Sequence, residues 1–482
     1  MFVQRRSEQR AVLAITVTVM LAVSACAVGP NYRAPLNQLQ NFKNAPAVQE
    51  RPAAPPAQLD QWWLAFNDST LTRIIQQALD QNLDLAASLA RVSQARAAAA
   101  AAGARFAPSA DLTAQAALSR QSLDGPLGEI ARGLPGYTRD QRLYDVGATA
   151  SWEIDLFGGL RRGAQAARAE AQVAEAERLG TRISVSAESA DAYFRIRGDQ
   201  SRISVAQQQI EVDAHLLELV KVRRAKGVSS DREQAQAEAL LKQAQAVLPL
   251  LRIDLEAQLN RLDVLMGAQP GTYARELEGT SEIAPVPAIP ANDRPVEVLR
   301  RRPDVIAAER RVAAASARIG VALADYYPKI SLSGVLGYES LTSKNLFTSE
   351  AFQPLGSGAV RWRLFDFGRV RAEVAAARGA DAEALAQYQQ SVLRAAEDVE
   401  DAFVGLVQTE ARTRELEGEV ASLARAQELS QQSYASGVIP LTDVLDADRL
   451  LLTARDDLAQ SRADDARAAV RVFRALGGGW SG

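Results

Sequence analysis

Two patterns of apolar and polar positions divide this chain between them. In four short stretches the two kinds of residue alternate. Across 109–119 the even positions are Ala110, Leu112, Ala114, Ala116 and Leu118, against Ser109, Asp111, Thr113, Gln115, Ala117 and Ser119. Tyr144, Val146, Ala148, Ala150, Trp152 and Ile154 then alternate with Asp145, Gly147, Thr149, Ser151, Glu153 and Asp155. Ile330, Leu332, Gly334, Leu336 and Tyr338 repeat the pattern, as do Val360, Trp362 and Leu364. Side chains of a strand point to opposite faces in turn, so each stretch predicts a strand with one apolar and one polar face. The predicted strands lie at about 108–120, 142–156, 328–340 and 356–366. The second pattern is helical. Residues 158–226 and 368–436 contain no proline, and at 1.5 Å per residue each predicts a helix ~100 Å long. Both runs stop at a glycine, Gly227 or Gly437, which suits a helix C-cap.

Shorter helices are expected at about 70–104, after an N-cap at Asp68-Ser69, and at 296–325. Return helices are expected at 231–267 and 440–476. In the first return Leu241, Leu248, Leu255 and Leu262 form a seven-residue row beside Ala237 and Ala244. In the second, Val444, Leu451, Leu458 and Val472 align. Such rows are coiled-coil seams. Pro249 predicts a kink in the first return helix.

The pattern occurs twice. Trp152, Phe157 and Gly158 match Trp362, Phe367 and Gly368 at an offset of 210, and Gly227-Val228 matches Gly437-Val438. Upstream the offset becomes 220, as in Asp84 with Asp304 and Pro108 with Pro328. Residues 68–267 and 295–477 therefore read as two versions of one unit. A proline-rich linker, 268–294, joins them, and 478–482 is a short tail.

Strands of about ten residues with one apolar and one polar face suit a membrane barrel, apolar toward lipid and polar toward a wet lumen. A soluble sheet with one buried face shares the pattern. Four strands do not close a barrel, since known membrane barrels start at about eight, and an open edge in lipid leaves backbone groups unsatisfied. Two chains give eight strands and three give twelve; the pattern alone does not choose.

Composition narrows the chemistry. The 482 residues are 47% hydrophobic, yet mean hydropathy is -0.13 because much of that count is alanine. A net charge of -3 gives no reason to expect nucleic acid. One cysteine and one histidine argue against disulfide frameworks, zinc sites and Cys/His or Ser/His catalysis, and no enzyme, metal or cofactor is expected. The cysteine belongs to an address. Arg5, Arg6 and Arg10 precede an apolar run from Ala11 to Val23, too short to span a bilayer. Val23-Ser24-Ala25-Cys26 then resembles a bacterial lipobox. Residues 1–25 read as a lipoprotein signal peptide, Cys26 as the lipidated first mature residue, and 26–67 as an extended segment. Ala27 after the cysteine favours outer-membrane sorting.

Cys26-Ala-Val-Gly-Pro-Asn-Tyr32, Trp152-Glu-Ile-Asp-Leu-Phe-Gly158, Arg301-Arg-Pro-Asp304, Tyr434-Ala-Ser-Gly437 and Thr442-Asp-Val-Leu-Asp446 together resemble the TolC/OprM family of outer-membrane efflux channels, in its NodT-like lipoprotein branch. The resemblance covers nearly the whole mature chain. It implies a mixed α and β membrane protein, mostly α: a homotrimer whose four strands per chain form a 12-stranded outer-membrane β-barrel, continued by a long periplasmic α-helical barrel. It implies a passive, non-enzymatic duct of a tripartite efflux system for drugs or other small toxic compounds. The partners would be a periplasmic membrane-fusion adaptor, an inner-membrane transporter of RND type and outer-membrane lipid. It places adaptor-contacting tips at Gly227, Val228, Gly437 and Val438, strand-to-helix junctions at Trp152, Phe157, Gly158, Trp362, Phe367 and Gly368, and a periplasmic gate at Tyr434, Asp443, Asp446 and Glu233. Asp443 and Asp446, three residues apart, share a helix face and in three chains would form acidic rings that favour cations. Arg223, Arg224 and Arg449 are candidate partners. Ile439 stands where some relatives carry an arginine. A protein-secretion duct and a non-conducting, envelope-spanning structural coiled coil remain alternatives.

Overall fold

The computed structural model describes residues 27–35, 40–51, 58–277, 279, 282–290 and 295–481. Cys26 and the predicted signal peptide lie outside the described residues. The helices are α1 (Ala45–Gln49), α2 (Ser69–Gln81), α3 (Leu83–Ala104), α4 (Pro126–Arg132), α5 (Gly159–Ala225), α6 (Asp231–Leu265), α7 (Pro295–Arg301), α8 (Pro303–Ala324), α9 (Arg369–Ala435) and α10 (Leu441–Ala475). The strands are β1 (Ser109–Arg120), β2 (Asp140–Ile154), β3 (Lys329–Ser340) and β4 (Phe352–Arg361). α5 and α9 each have 67 residues, α6 and α10 each 35. No helix among the described residues is long and apolar enough to cross a membrane.

The chain divides into two units. One comprises residues up to 34, 93–172 and 309–386. It holds an antiparallel sheet of order β1-β2-β3-β4. β1 pairs with β2 from Ser109↔Ser151 to Arg120↔Asp140, and β3 with β4 from Lys329↔Arg361 to Tyr338↔Phe352. Because β1 and β4 each have one neighbour, both present an unpaired backbone edge. Every residue of β4 and eleven of the twelve in β1 are exposed, and the apolar face carried by Leu112, Leu118, Leu336 and Val360 has no cover among the described residues.

The fourth strand differs from its expected bounds, beginning at Phe352 and ending at Arg361. Pro354 lies inside it, which an edge strand tolerates because no ladder N–H is required there. Tyr338 meets Phe347 at 5.5 Å and Phe352 at 5.4 Å at the start of the β3–β4 pairing. At the other end Trp362 leaves the ladder.

The second unit comprises 35–92, 173–308 and 387–482. Its core is aromatic: Trp62 stacks on Phe473 at 5.2 Å, Phe66 meets Phe194 at 5.0 Å, and Phe42 meets Phe403 edge-on at 6.0 Å. Tyr193 adds its ring to this core and donates from its hydroxyl to Asp68 Oδ2 at 2.6 Å. Burial, with that hydrogen bond, pushes the Tyr193 phenol up to about 12. Asp68 also caps α2, accepting from Thr70 and Leu71 N–H at 2.9 and 3.0 Å.

Two expected helices are in fact broken. The run at 70–104 divides at Asn82, whose backbone is extended (φ -63, ψ 128). Its side chain replaces the lost helical bonds, accepting from Leu85 N–H at 2.9 Å and donating to the Leu265 carbonyl at 2.9 Å. The run at 296–325 divides at Arg302, since Pro303 disfavours the helical region for the residue before it. Arg302 is 9% exposed and donates to Asp304 and Asp398, both at 2.8 Å or less. Beside each break a glycine with positive φ ends a return helix: Gly267 abuts the Gln81 carbonyl and Gly477 the Arg301 carbonyl.

The seam in α6 is also shifted. Ala237, Ala244 and Leu251 form the buried seven-residue row, while Leu241, Leu248 and Leu255 are half-buried. Small residues allow closer helix approach, so the alanine row takes the interior. α6 continues through Pro249 without being divided.

Candidate functional site: the helix tips and the strand-to-helix junctions

In the second unit α5 and α9 reverse in the same way. Gly227 (φ 74) and Gly437 (φ 76) are left-handed. The N–H of Val228 bonds to the Arg223 carbonyl at 2.9 Å, and that of Val438 to the Ser433 carbonyl at 2.9 Å. These are Schellman closures, which satisfy carbonyls that a helix end would otherwise leave bare. Val228 and Val438 stand exposed beyond them at 64% and 76%.

Behind the tips is a small apolar cluster of Leu216, Leu217, Val220, Ala237, Tyr434, Leu441 and Val444, drawn from α5, α6, α9 and α10. Tyr434 is 3% exposed within it. The Arg223 guanidinium lies 4.6 Å over the Tyr434 ring and donates to the Tyr434 carbonyl at 3.2 Å. The tyrosine hydroxyl reaches Ser229 Oγ at 3.5 Å. Arg223 thus joins the end of α5 to the end of α9.

The candidate acids are placed differently from one another. Asp443 and Asp446 lie on the exposed side of the first turns of α10. Asp443 has a long contact from Thr442 Oγ1 at 3.4 Å, and Asp446 faces Arg449 at 3.6 Å. Glu233 is engaged locally: its carboxylate accepts from Ser230 N–H at 2.8 Å while Ser230 Oγ accepts from Glu233 N–H at 3.3 Å. This reciprocal cap starts α6. Arg224 pairs with Asp231 at 2.5 Å and donates to Gln234 at 2.7 Å. Among the three candidate arginines, Arg223 therefore meets Tyr434 and Arg449 meets Asp446.

In the first unit the two junctions share one device. Trp152 Nε1 donates to the Phe106 carbonyl at 2.8 Å, and Trp362 Nε1 to the Tyr326 carbonyl at 2.9 Å. Gly158 (φ 80) and Gly368 (φ 86) turn the chain from strand to helix, and Phe367 also has positive φ, at 53. Phe157 stacks on Tyr327 at 4.6 Å.

The sequence reading missed the carboxylates that start the long helices. Asp155 accepts from Leu160 and Arg161 N–H at 3.1 and 2.8 Å, and Asp366 from Gly368 and Val370 N–H at 3.0 and 2.8 Å. A cap signal was present, but the two aspartates stand at different registers in the repeat, 155 against 366. Also missed was a seat for the segment following Cys26. Val28 N–H bonds to the Phe157 carbonyl at 3.0 Å. Arg162, 4% exposed, donates to the carbonyls of Val28 and Gly29 at 3.1 Å each and to Asn31 Oδ1 at 2.9 Å. Gly158 and Gly320 leave room: a Cβ at Gly158 would lie 2.6 Å from Ala27, and one at Gly320 2.7 Å from the Arg162 stem.

Residues 74–268 and 295–478 match the family described as outer membrane efflux protein. The pyoverdine export outer membrane protein OpmQ of Pseudomonas putida is 33% identical over 441 residues, covering 90% of this chain and 92% of its own length. The toluene efflux pump outer membrane protein TtgI of Pseudomonas putida is 28% identical over 474 residues, covering 96% and 97%. A solved structure of the outer-membrane channel OprN superposes with a TM-score of 0.86 at 32% identity, covering 94% of this chain and all of that one.

Proposed function

Because the chain belongs to the outer membrane efflux protein family, we propose that it is the outer-membrane duct of a tripartite efflux system, passing small compounds outward without bond chemistry of its own. The observation that carries this reading is the four-stranded sheet. Its outer edges are unpaired and its apolar face is uncovered, a state that lipid does not tolerate in one chain. Three chains edge to edge close a 12-stranded barrel with lipid against the apolar positions, and α5, α6, α9 and α10 supply the periplasmic helical barrel. The two halves, 68–267 and 295–477, act as two copies of one building unit.

Energy and choice of cargo come from partners. Named relatives export molecules as unlike as pyoverdine and toluene, which supports a permissive duct loaded by an inner-membrane transporter of RND type. The exposed tips at Gly227-Val228 and Gly437-Val438 are offered to a periplasmic adaptor. Arg223 and Tyr434 hold the tips together, while Asp443 and Asp446, with Glu233 fixed by its cap, line the mouth with negative charge. Cys26 carries the lipid anchor, and Arg162 holds the segment that follows it.

Cross-linking of the detergent-purified protein should give a three-chain species, and planar bilayers should show cation-preferring pores. A monomer that conducts overturns the shared barrel. For the anchor, Cys26→Ser should abolish incorporation of radiolabelled fatty acid; unchanged incorporation refutes that assignment.

A further inference from the structure

In the second unit α5 and α10 run antiparallel and meet along one seam. Arg467 Nε donates to Asp191 Oδ1 at 2.7 Å, and Arg202 grips Asp456 through Nε at 2.7 Å and Nη2 at 2.9 Å. Toward the tips, Leu217 and Val220 pack with Leu441 and Val444. The polar rungs on α5 are Asp191, Arg202 and Asp213, each eleven residues after the last. Eleven residues is three helical turns at about 3.67 per turn, so all three occupy one face.

The first two rungs join opposite charges, but the third does not. The partners on α10 step back by eleven residues as well, from Arg467 to Asp456, so the third rung sets Asp213 opposite the turn 445–448, whose buried polar residue is another carboxyl, Asp448. Asp213 is 1% exposed and Asp448 0%. Gln209 Nε2 donates to Asp213 Oδ1 at 2.8 Å, and Gln427 Nε2 donates to Asp448 Oδ1 at 2.7 Å. Gln431 also favours the charged form of Asp448, yet Oδ2 of each aspartate is buried with no donor in hydrogen-bond geometry. Two dehydrated carboxylates in one another's field are costly when both are charged. A metal ion would want more oxygen ligands than two carboxylates supply, and both amides turn N–H groups toward the pair. A proton needs no room.

We propose that Asp213 and Asp448 form a proton-operated latch, taking up a proton at the seam while α5 and α10 are packed and giving it to water when the tips part. In the packed state each protonated carboxyl is neutral, so its bare, buried oxygen no longer carries an unhydrated charge. Acid locks the tips and neutral pH loosens them. The channel consequence rests on the gate reading of these same hairpins, whereas the proton binding does not.

The direction follows from burial. It pushes Asp213 from the ordinary 3.8 to about 6, with the charge of Asp448 adding to the rise, and it pushes Asp448 up as well. Below about pH 4 packed and parted states are both protonated and their ratio is constant. Between about pH 4 and 6 only the packed state retains the proton, so rising pH favours parting. Above that window the full repulsion is in force. One linked proton changes the ratio by at most about tenfold per pH unit.

Other nearby charges face elsewhere. On α5, Glu211 and His215 are exposed; on α6, Lys242 is exposed and donates to Gln245. On α9, Arg425 pairs with Glu428, and on α10 Asp446 pairs with Arg449. Arg455 acts on Asp448 from its own helix.

The test uses the full-length protein in planar bilayers between pH 4.5 and 7.5, with melting midpoints in detergent over the same range. Wild-type open probability should fall on acidification by up to tenfold per unit, and its melting midpoint should rise. Asp448→Asn and Asp213→Asn mimic the protonated acid. Each should weaken this pH response, and the two together should abolish it and show the acid-like open probability at pH 7.5. Asp448→Arg, which makes the third rung resemble the first two, should also be pinned. If both asparagine variants keep the wild-type pH response in both measurements, the latch is refuted. If they abolish a pH-dependent melting midpoint while conductance never responds to pH, the proton pair stands and the gate reading fails. If they change the response to Ca²⁺ or Mg²⁺ at fixed pH and not the response to protons, the pair binds metal and the proposal fails.

Discussion

Replacing Arg223 by methionine tests the tip cluster directly. Methionine keeps an unbranched apolar stem and removes the cation. Two interactions are lost. The guanidinium 4.6 Å over the Tyr434 ring is half-buried, which sets its contribution at about 1 kcal/mol. Its bond to the Tyr434 carbonyl is long, at 3.2 Å, which places a charged hydrogen bond near the low end, about 1.5 kcal/mol. Because both depend on one guanidinium, the loss is set at about 2 kcal/mol per chain, or roughly 30-fold in the ratio of open to closed tips. Tyr434→Phe is the control: it keeps the ring and the carbonyl and loses only a hydroxyl contact at 3.5 Å, so the shift should be under about twofold. Single-channel open probability in planar bilayers at low voltage reads both. If Arg223→Met lies within twofold of wild type, or Tyr434→Phe equals it, the guanidinium does not hold the tips.

Four further outcomes are expected. Asp443→Ala with Asp446→Ala should weaken block by multivalent cations, and Glu419→Ala, exposed on α9 away from the tip, should not; equal effects would reduce the pair to ordinary surface charge. Gly477→Ala should lower the melting temperature far more than Gly227→Ala. Both have positive φ, worth about 1–2 kcal/mol, but a Cβ at Gly477 would also lie 2.8 Å from the Arg301 carbonyl, whereas Gly227 faces open space. Trp152→Phe and Trp362→Phe should each destabilise by about 1 kcal/mol in denaturant titrations through the lost indole bond; a phenylalanine variant as stable as wild type refutes that role. Burial pushes Asp465 up to about 6, so folding takes up a proton there and this residue's contribution worsens as pH rises from about 4 to 6. Asp465→Asn should therefore raise the melting temperature at pH 7.5 and leave it unchanged at pH 4; an equal rise at both refutes the burial argument.

The type of each strand and the length of the two long helices were legible in the chain because period 2 and period 3.6 do not mimic each other over ten or more residues. Alternation marked the strands, and absence of proline through two 67-residue runs marked α5 and α9. Gly227 and Gly437 marked the tips because a glycine is the residue a Schellman closure favours. The proposed duplication rests on the chain alone, on matched residues at a fixed offset. The motifs carried the family.

Tertiary structure alone decided what each polar side chain does. Glu233 and Asp443 occupy matched positions, yet one closes a capping box and the other stands exposed, because only α6 has a serine at its N-cap. Local sequence could not tell that Arg223 lies over Tyr434, residues separated by 211 positions. Asn82 breaks a helix because its amide finds the Leu265 carbonyl, a partner 183 residues away. The alanine row in α6 is buried in preference to the leucine row because facing helices set the approach. The buried Asp213 and Asp448 look like ordinary helix charges in the chain. They are dehydrated only because the packed helices exclude water, and that dehydration is a property of the fold.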